Sequence, residues 1–502
     1  MASLDPQWYG RHETLASELP GAALLINGKW VDGDANAPYG HVNPATGRVQ
    51  KEIHLAGKDE VSHAVEAARQ AFPAWRAFAA NERRDCLLRV ARLLSDEAAA
   101  SARIGTLENG LPIVFTPTLC GTLPSEFFSY YAGWCDKILG EVVPVYPEPA
   151  FDYFVGEPYG VIGIIIPWNG PMTSIGQKVA AALAAGNCVV LKPSELAPFT
   201  ALKFGQICIE AGVPAGVVNV VPGGPAAGEA LVRHPGVDKV SFTGGSDTGR
   251  AVQIAAAATL KPAVLELGGK SANIVFEDAD LELAAAMAVQ FGVVALSGQG
   301  CLLPTRLLVQ ESVYDSVLER VVSIARGIVV GDPLAPGTMM GPVISEQRCH
   351  AIEEVIDRAV SDGHGRLVHG GKRLGGDLAG GYFLPPTIFA EVDNSSPLAQ
   401  REIFGPVLSV LRFRSEEEAV QMANASEYGL AGYVWTRDAA RVHRVAAQLE
   451  VGYVGVNGVP LVPPSTPFGG FKGSGYGREG GRAGLEEFLR YKNVHLSLSQ
   501  GS

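Results

Sequence analysis

Cys301 stands in Ser297-Gly298-Gln299-Gly300-Cys301-Leu302-Leu303-Pro304, a single thiol behind a Gly-Gln-Gly turn. Glycines on both sides of Gln299 let the backbone approach a ligand without Cβ obstruction. That suits a nucleophile whose own N–H must help hold an oxyanion. Read alone, the thiol is better explained as a buried structural cysteine, since free Cys is among the most buried residue types. Two other stretches change that balance. In Leu265-Glu266-Leu267-Gly268-Gly269-Lys270 a carboxylate follows mostly apolar residues and precedes two glycines. Poor solvation there raises its pKa toward the range of a general base, unless Lys270 or Lys261 pairs with it. In Pro167-Trp168-Asn169 a side-chain amide is offered that could hold a developing oxyanion, or that could simply satisfy a turn.

The elements that must position these groups alternate. Val161 to Ile166 is a β-branched run of the kind buried on both faces of a parallel sheet. Strand-like segments at 188–191, 217–221, 239–242 and 263–265 follow, separated by helical patterns at 174–185, 199–211, 226–232 and 250–258. This is a doubly wound α/β pattern, whose ligand belongs at the carboxyl ends of the strands. A second alternating region has helices at 281–294, 313–328 and 346–360 and strands at 305–309 and 407–412. Before the first strand, the spacing predicts an edge hairpin within 1–56, two helices within 61–95 broken at Pro73-Ala74-Trp75, and a helix over 127–138. A β-ribbon is expected from Glu141 to Val155, and a closely packed glycine-rich loop from Pro467 to Arg478.

Several strand ends carry residues a dinucleotide would use. Lys192 and Glu195 follow the second strand, and a carboxylate there opposes a 2′-phosphate, which predicts NAD over NADP. Gly244 to Gly249 opens a helix whose N-terminal amides favour a pyrophosphate, although the usual GxGxxG is absent.

The chain has 502 residues, 47% hydrophobic and 18% charged, with a formal net charge of −12 and no basic run of five. Nucleic acid and anionic membrane are thereby disfavoured as partners. Its seven cysteines are scattered without CxxC pairs, which predicts free thiols in a reducing compartment and no metal site. Neither a signal peptide nor a membrane-spanning segment is expected, the apolar stretch from Leu283 to Leu296 being short, so the expected location is cytoplasmic.

Taken in order, these motifs resemble the aldehyde dehydrogenase superfamily. The resemblance covers nearly the whole chain and includes Phe72-Pro73-Ala74-Trp75, Tyr131-Ala132-Gly133-Trp134, Phe242-Thr243-Gly244, Glu402-Ile403-Phe404-Gly405-Pro406 and Pro467-Phe468-Gly469-Gly470 with Gly477-Arg478-Glu479. It implies an NAD-binding domain (1–137 and 161–267), a catalytic domain (268–481), each a doubly wound parallel sheet, and a small β-ribbon oligomerisation element (138–160 and 482–502) that builds a homo-oligomer, dimer or tetramer. It makes Cys301 the nucleophile, Glu266 the general base and Asn169 the oxyanion donor. The cofactor would be held by Ile166, Pro167, Trp168, Lys192, Ser194, Glu195, Gly224, Gly244, Ser246, Leu267, Gly268, Glu402 and Phe404. The implied reaction oxidises an aldehyde to its acid through a Cys301 thiohemiacetal and a thioester, which water activated by Glu266 hydrolyses. A CoA-acylating relative usually lacks this Glu. Gly170 stands where many relatives carry an aromatic, and Gln177 where a Trp is common. A wider entrance is therefore expected, lined by Gly170, Met172, Leu302, Leu303 and Leu461, for a bulky or hydrophobic aldehyde.

Overall fold

The structure is a computed structural model that describes residues 7–498 except 22, 148, 460 and 461. Val161–Ile166 forms the predicted strand, and all six residues are buried. It pairs in parallel with Cys188–Pro193 on one side and Lys239–Thr243 on the other. Val218–Val220 and Ala263–Glu266 extend the two flanks in parallel, giving the order 218, 188, 161, 239, 263 by first residue. The chain leaves the central strand toward one flank and later returns to the other. The loops after Val161–Ile166 and Lys239–Thr243 therefore diverge and open a crevice at the strands' carboxyl ends.

Two antiparallel additions close this sheet. The hairpin Ala23–Ile26 with Lys29–Asp32, turning at Asn27-Gly28, covers one edge as expected of the N-terminal region. The other edge receives Gly475–Tyr476, from the glycine-rich loop, against Leu265 and Glu266. That loop thus crosses from the segment assigned to the catalytic domain into the first sheet.

The second sheet orders Arg366–His369, Thr387–Ala390, Val407–Phe413, Arg306–Gln310, Ala272–Val275, Ala431–Trp435 and Tyr453–Val456. All neighbours are parallel except the first pair. Packed on it is the helical run Leu281–Gly298, which has a mean hydropathy of 1.6 over 18 residues and half of it buried. It continues past the stretch the sequence suggested and is, by length and composition alone, long enough to cross a membrane. Ala285, Ala288, Val289 and Val293 are instead buried in a core shared with Leu307, Val309 and Trp435.

Two helix boundaries differ from expectation. Helix Lys58–Ala77 passes through Pro73 and breaks at Phe78-Ala79, because its buried stripe Val61, Ala64, Val65, Ala68 and Trp75 holds it across the missing hydrogen bond. The helix expected over 127–138 runs from Leu123 to Ala132. The expected ribbon forms from Glu141–Val143 and Ala150–Pro158, and a third strand, Leu489–Ser497, pairs with the latter along its full length.

Candidate active site

Cys301, Glu266 and Asn169 come from three distant stretches and are joined by short contacts. Asn169 follows the central strand, and its Nδ2 donates to the Gln299 carbonyl at 2.8 Å, two residues before the thiol. A Cβ on Gly269 would run into the Cys301 carbonyl, and one on Gly268 into the Glu402 carboxylate, so the two glycines after Glu266 are required for this approach.

The thiol is presented by an elbow. Leu296, Ser297 and Gly298 have φ of 52°, 55° and 74°, three successive left-handed residues, two of which carry side chains. Such a conformation costs about 1–2 kcal/mol for each non-glycine residue and needs support from its surroundings. Ser297 Oγ donates to the Gly341 carbonyl at 2.9 Å. The Gln299 side chain accepts from Ile344 N–H and donates to the Leu296 carbonyl, both at 3.0 Å. Six of the seven cysteines are buried, and Cys301 alone is half-exposed. Burial of the sulfur and the nearby Glu266, Glu402 and Glu479 carboxylates push its pKa up to about 12. The thiol therefore holds its proton at neutral pH and needs an acceptor.

Glu266 is 3% exposed, and neither carboxyl oxygen has a hydrogen-bond partner. The alternative of a structural pair is not realised: Lys261 Nζ donates to the Val232 and His234 carbonyls, and Lys270 Nζ bonds to nothing. Desolvation first, and then the Glu479 carboxylate, hold the Glu266 pKa well above the carboxylate range. Lys178, fully buried on helix Pro171–Ala184, pairs with Glu479 and lies 3.0 Å from Ser241 Oγ. An ion pair thus sits within electrostatic reach of the candidate base. Ser474 fastens the strand that carries Glu266, since its carbonyl accepts from Leu267 N–H and its hydroxyl donates to the Gly268 carbonyl.

The crevice suits a dinucleotide. Lys192 is buried with Nζ on the Gly223 carbonyl, and burial lowers its pKa to about 8 against the pull of Glu195. Glu195 is half-buried beside Ser194, whose hydroxyl lies 3.3 Å from its carboxylate. Gly224 and Gly245 begin the helices Pro225–Arg233 and Ser246–Ala257, and a Cβ on either would meet nothing within 4 Å. That leaves room for a phosphate at free helix amides. Ser246 Oγ, expected there, donates instead to the Gly473 carbonyl at 3.3 Å. Gly244 N–H donates to the Glu266 carbonyl at 3.1 Å. At the other end, Glu402 Oε1 accepts from Gly269 N–H at 2.9 Å, and the Phe404 ring meets Trp168 edge-on at 5.3 Å. Phe404 has φ of 54°, with the Ile403 and Phe404 carbonyls held by Arg348 Nη2. Ile166 is buried, and Pro167 is half-buried above it.

On the aldehyde side the expectations divide. Above Gly170 there is open space, the nearest atom to a Cβ there being Thr173 Cβ at 3.9 Å. Leu302 is half-buried against two small clusters, Leu430, Val462 and Phe468 on one side and Ala431, Tyr433 and Val459 on the other. Met172 and Leu303 are 1% and 4% exposed, Met172 being part of the first core, so no exposed surface supports their contact with a substrate. Helix Pro171–Ala184 turns Met172 inward while leaving Thr173 and Gln177 half-buried on another face. Leu461 lies outside the described residues.

Residues 30–494 match the model of the aldehyde dehydrogenase family. The chain belongs to that family. It is 40% identical to human retinal dehydrogenase 2 over 490 residues, covering 96% of this chain and 93% of the relative. It is also 40% identical to human mitochondrial aldehyde dehydrogenase over 482 residues, covering 95% and 92%. Betaine aldehyde dehydrogenase from Staphylococcus aureus, solved in complex with NAD+, superposes with a TM-score of 0.95 at 35% identity and 99% coverage of both chains.

Within this family member, sequence reasoning alone misses Lys178, Arg348 and the second role of Gln299. Lys178 has a visible signal, a lysine at the head of the apolar run Val179 to Ala185. Arg348 has none, because its partners are backbone carbonyls 55 and 56 residues away.

Proposed function

We propose that the chain is an NAD-dependent aldehyde dehydrogenase that oxidises a bulky or hydrophobic aldehyde to its carboxylic acid. The observation that carries the reading is Glu266, a buried carboxyl without a hydrogen-bond partner on the strand end whose Gly269 abuts Cys301. Sulfur of Cys301 adds to the aldehyde carbon and gives up its proton to a base. Asn169 and the Cys301 N–H take the negative charge of the former carbonyl oxygen, and a single such donor contributes about 3 kcal/mol in the transition state. NAD, when bound, supplies the hydride acceptor. Glu266 then removes a proton from water as it adds to the Cys301 thioester, and collapse releases the acid and the thiol. Lys192 and Glu195 would hold the adenosine ribose, Gly224, Gly244 and Ser246 the phosphates, and Glu402 with Phe404 the nicotinamide end.

The two sheets divide the labour as cofactor and catalytic domains. The three-stranded ribbon builds a homodimer or tetramer through its exposed apolar residues Val142, Phe151, Tyr491 and Leu496. The unpaired thiols support a cytoplasmic site of action. The open space above Gly170 supports a wide entrance. The test is NADH formation across aliphatic, aromatic and terpenoid aldehydes, with NADP in parallel. Turnover fastest with acetaldehyde and falling steadily with size refutes the bulky-substrate reading. Full activity in Cys301→Ala refutes the mechanism.

A further inference from the structure

Asn169 can serve an oxyanion only through its N–H end, since its carbonyl end would repel the charge. Both ends have the same shape, and rotation of the carboxamide by half a turn exchanges them. The side chain is half-buried, and among the described residues its one hydrogen bond is from Nδ2 to the Gln299 carbonyl. Of the two ends of the carboxamide, only the N–H end can donate to a carbonyl. That contact therefore fixes which end points where and leaves the second N–H of Nδ2 free.

The Gln299 carbonyl is held in place by its own side chain. Oε1 takes the Ile344 N–H from the segment preceding helix Glu346–Ser361, and Nε2 gives to the Leu296 carbonyl, while the backbone N–H also goes to Leu296 at 3.0 Å. Gln299 is 1% exposed, so water does not replace these bonds. It stands directly after the three left-handed residues of the elbow, where the backbone is otherwise free to relax.

We infer that Gln299 is a positioning residue for the oxyanion site: its side chain pins the elbow so that its carbonyl orients the Asn169 carboxamide N–H toward the aldehyde oxygen. The inference rests on the aldehyde dehydrogenase reading of Asn169 and Cys301. Gln299→Met keeps length and removes both side-chain bonds. Without them the carboxamide samples the repelling orientation, and the loss appears in kcat rather than in substrate binding.

The experiment is a double-mutant cycle on the full chain with NAD and a good aldehyde substrate. Asn169→Ala is expected to lower kcat about 100-fold and Gln299→Met about 30-fold, with aldehyde KM within about threefold of wild type. In the Asn169→Ala background, Gln299→Met should cost less than about fivefold more, because the group it orients is gone. A general loosening of the fold gives instead the same factor in both backgrounds, and that result overturns the proposal while leaving the role of Asn169 intact. Wild-type kcat in Gln299→Met alone also overturns it. Full activity in Asn169→Ala alone removes the oxyanion site, and this proposal with it. If Gln299→Met does not fold, Gln299→Glu keeps the acceptor for Ile344 N–H and loses the bond to Leu296, and the same cycle applies with the same two readings.

Discussion

Two carboxyl groups, Glu108 and Glu266, are buried to nearly the same degree and surrounded in opposite ways. Glu108 takes the N–H of Phe199 at 2.7 Å, the N–H of Thr200 at 3.1 Å and the Thr200 hydroxyl, capping helix Phe199–Glu210. Burial raises its pKa to about 7, and these three donors restrain the rise. Glu266 has no donor and is pushed well above the carboxylate range. A buried charge whose lone pairs are all filled builds structure. One left without partners costs stability and is poised for proton transfer.

The sharpest way to break this contrast is to exchange its outcomes. Glu266→Gln should lower steady-state NADH formation by about 100- to 10,000-fold, with a burst of about one NADH per active site as the thioester accumulates. A linear time course at wild-type rate breaks the comparison. Glu108→Met should leave kcat per folded molecule within twofold. It strands two helix N–H groups and should cost about 3 kcal/mol in a urea melt.

Stability as a function of pH separates the pair more finely. Because the folded Glu266 pKa lies above its unfolded value, folding is penalised increasingly as pH rises past the unfolded pKa, until the folded pKa is reached. The stability advantage of Glu266→Gln over wild type should therefore be near zero at pH 4 and grow by up to about 1.4 kcal/mol per pH unit above it. An advantage that shrinks with rising pH contradicts the burial argument. The lysines give the smallest test. Lys261→Met should lose about 1–2 kcal/mol with its two carbonyl contacts, whereas Lys270→Met should be neutral or slightly stabilising. Burial and nearby Arg306 lower the pKa of Lys270 to about 7, so its cost is greatest in acid, falls as pH rises above about 7 and is gone at the unfolded value.

Much of the fold is legible in sequence because burial leaves a period. Val161–Ile166 is apolar throughout since both faces are covered, and helix Lys58–Ala77 repeats its apolar residues every three or four positions. The Pro73 break is misread because tertiary packing overrides a local rule. The motifs bearing Asn169 and Glu266 are legible through residue types at strand ends, and that of Cys301 through its glycine turn. The Lys178–Glu479 pair joins side chains 301 positions apart, and no spacing encodes it. The left-handed elbow is equally hidden, as neither Leu296 nor Ser297 signals a positive φ. The hydrogen bond of Ser246 is hidden for a related reason: a free helix start is readable, but the carbonyl that takes its hydroxyl comes from Gly473.

The short strand Gly475–Tyr476 beside Leu265–Glu266 also sets a timetable. Chains emerge from the ribosome at about 5–20 residues per second, so the strand carrying Glu266 waits some 10–40 seconds for its edge partner. Throughout that interval an apolar strand edge stands open to other nascent chains. The last tenth of the polypeptide is therefore what seals this edge of the first sheet, beside the candidate base.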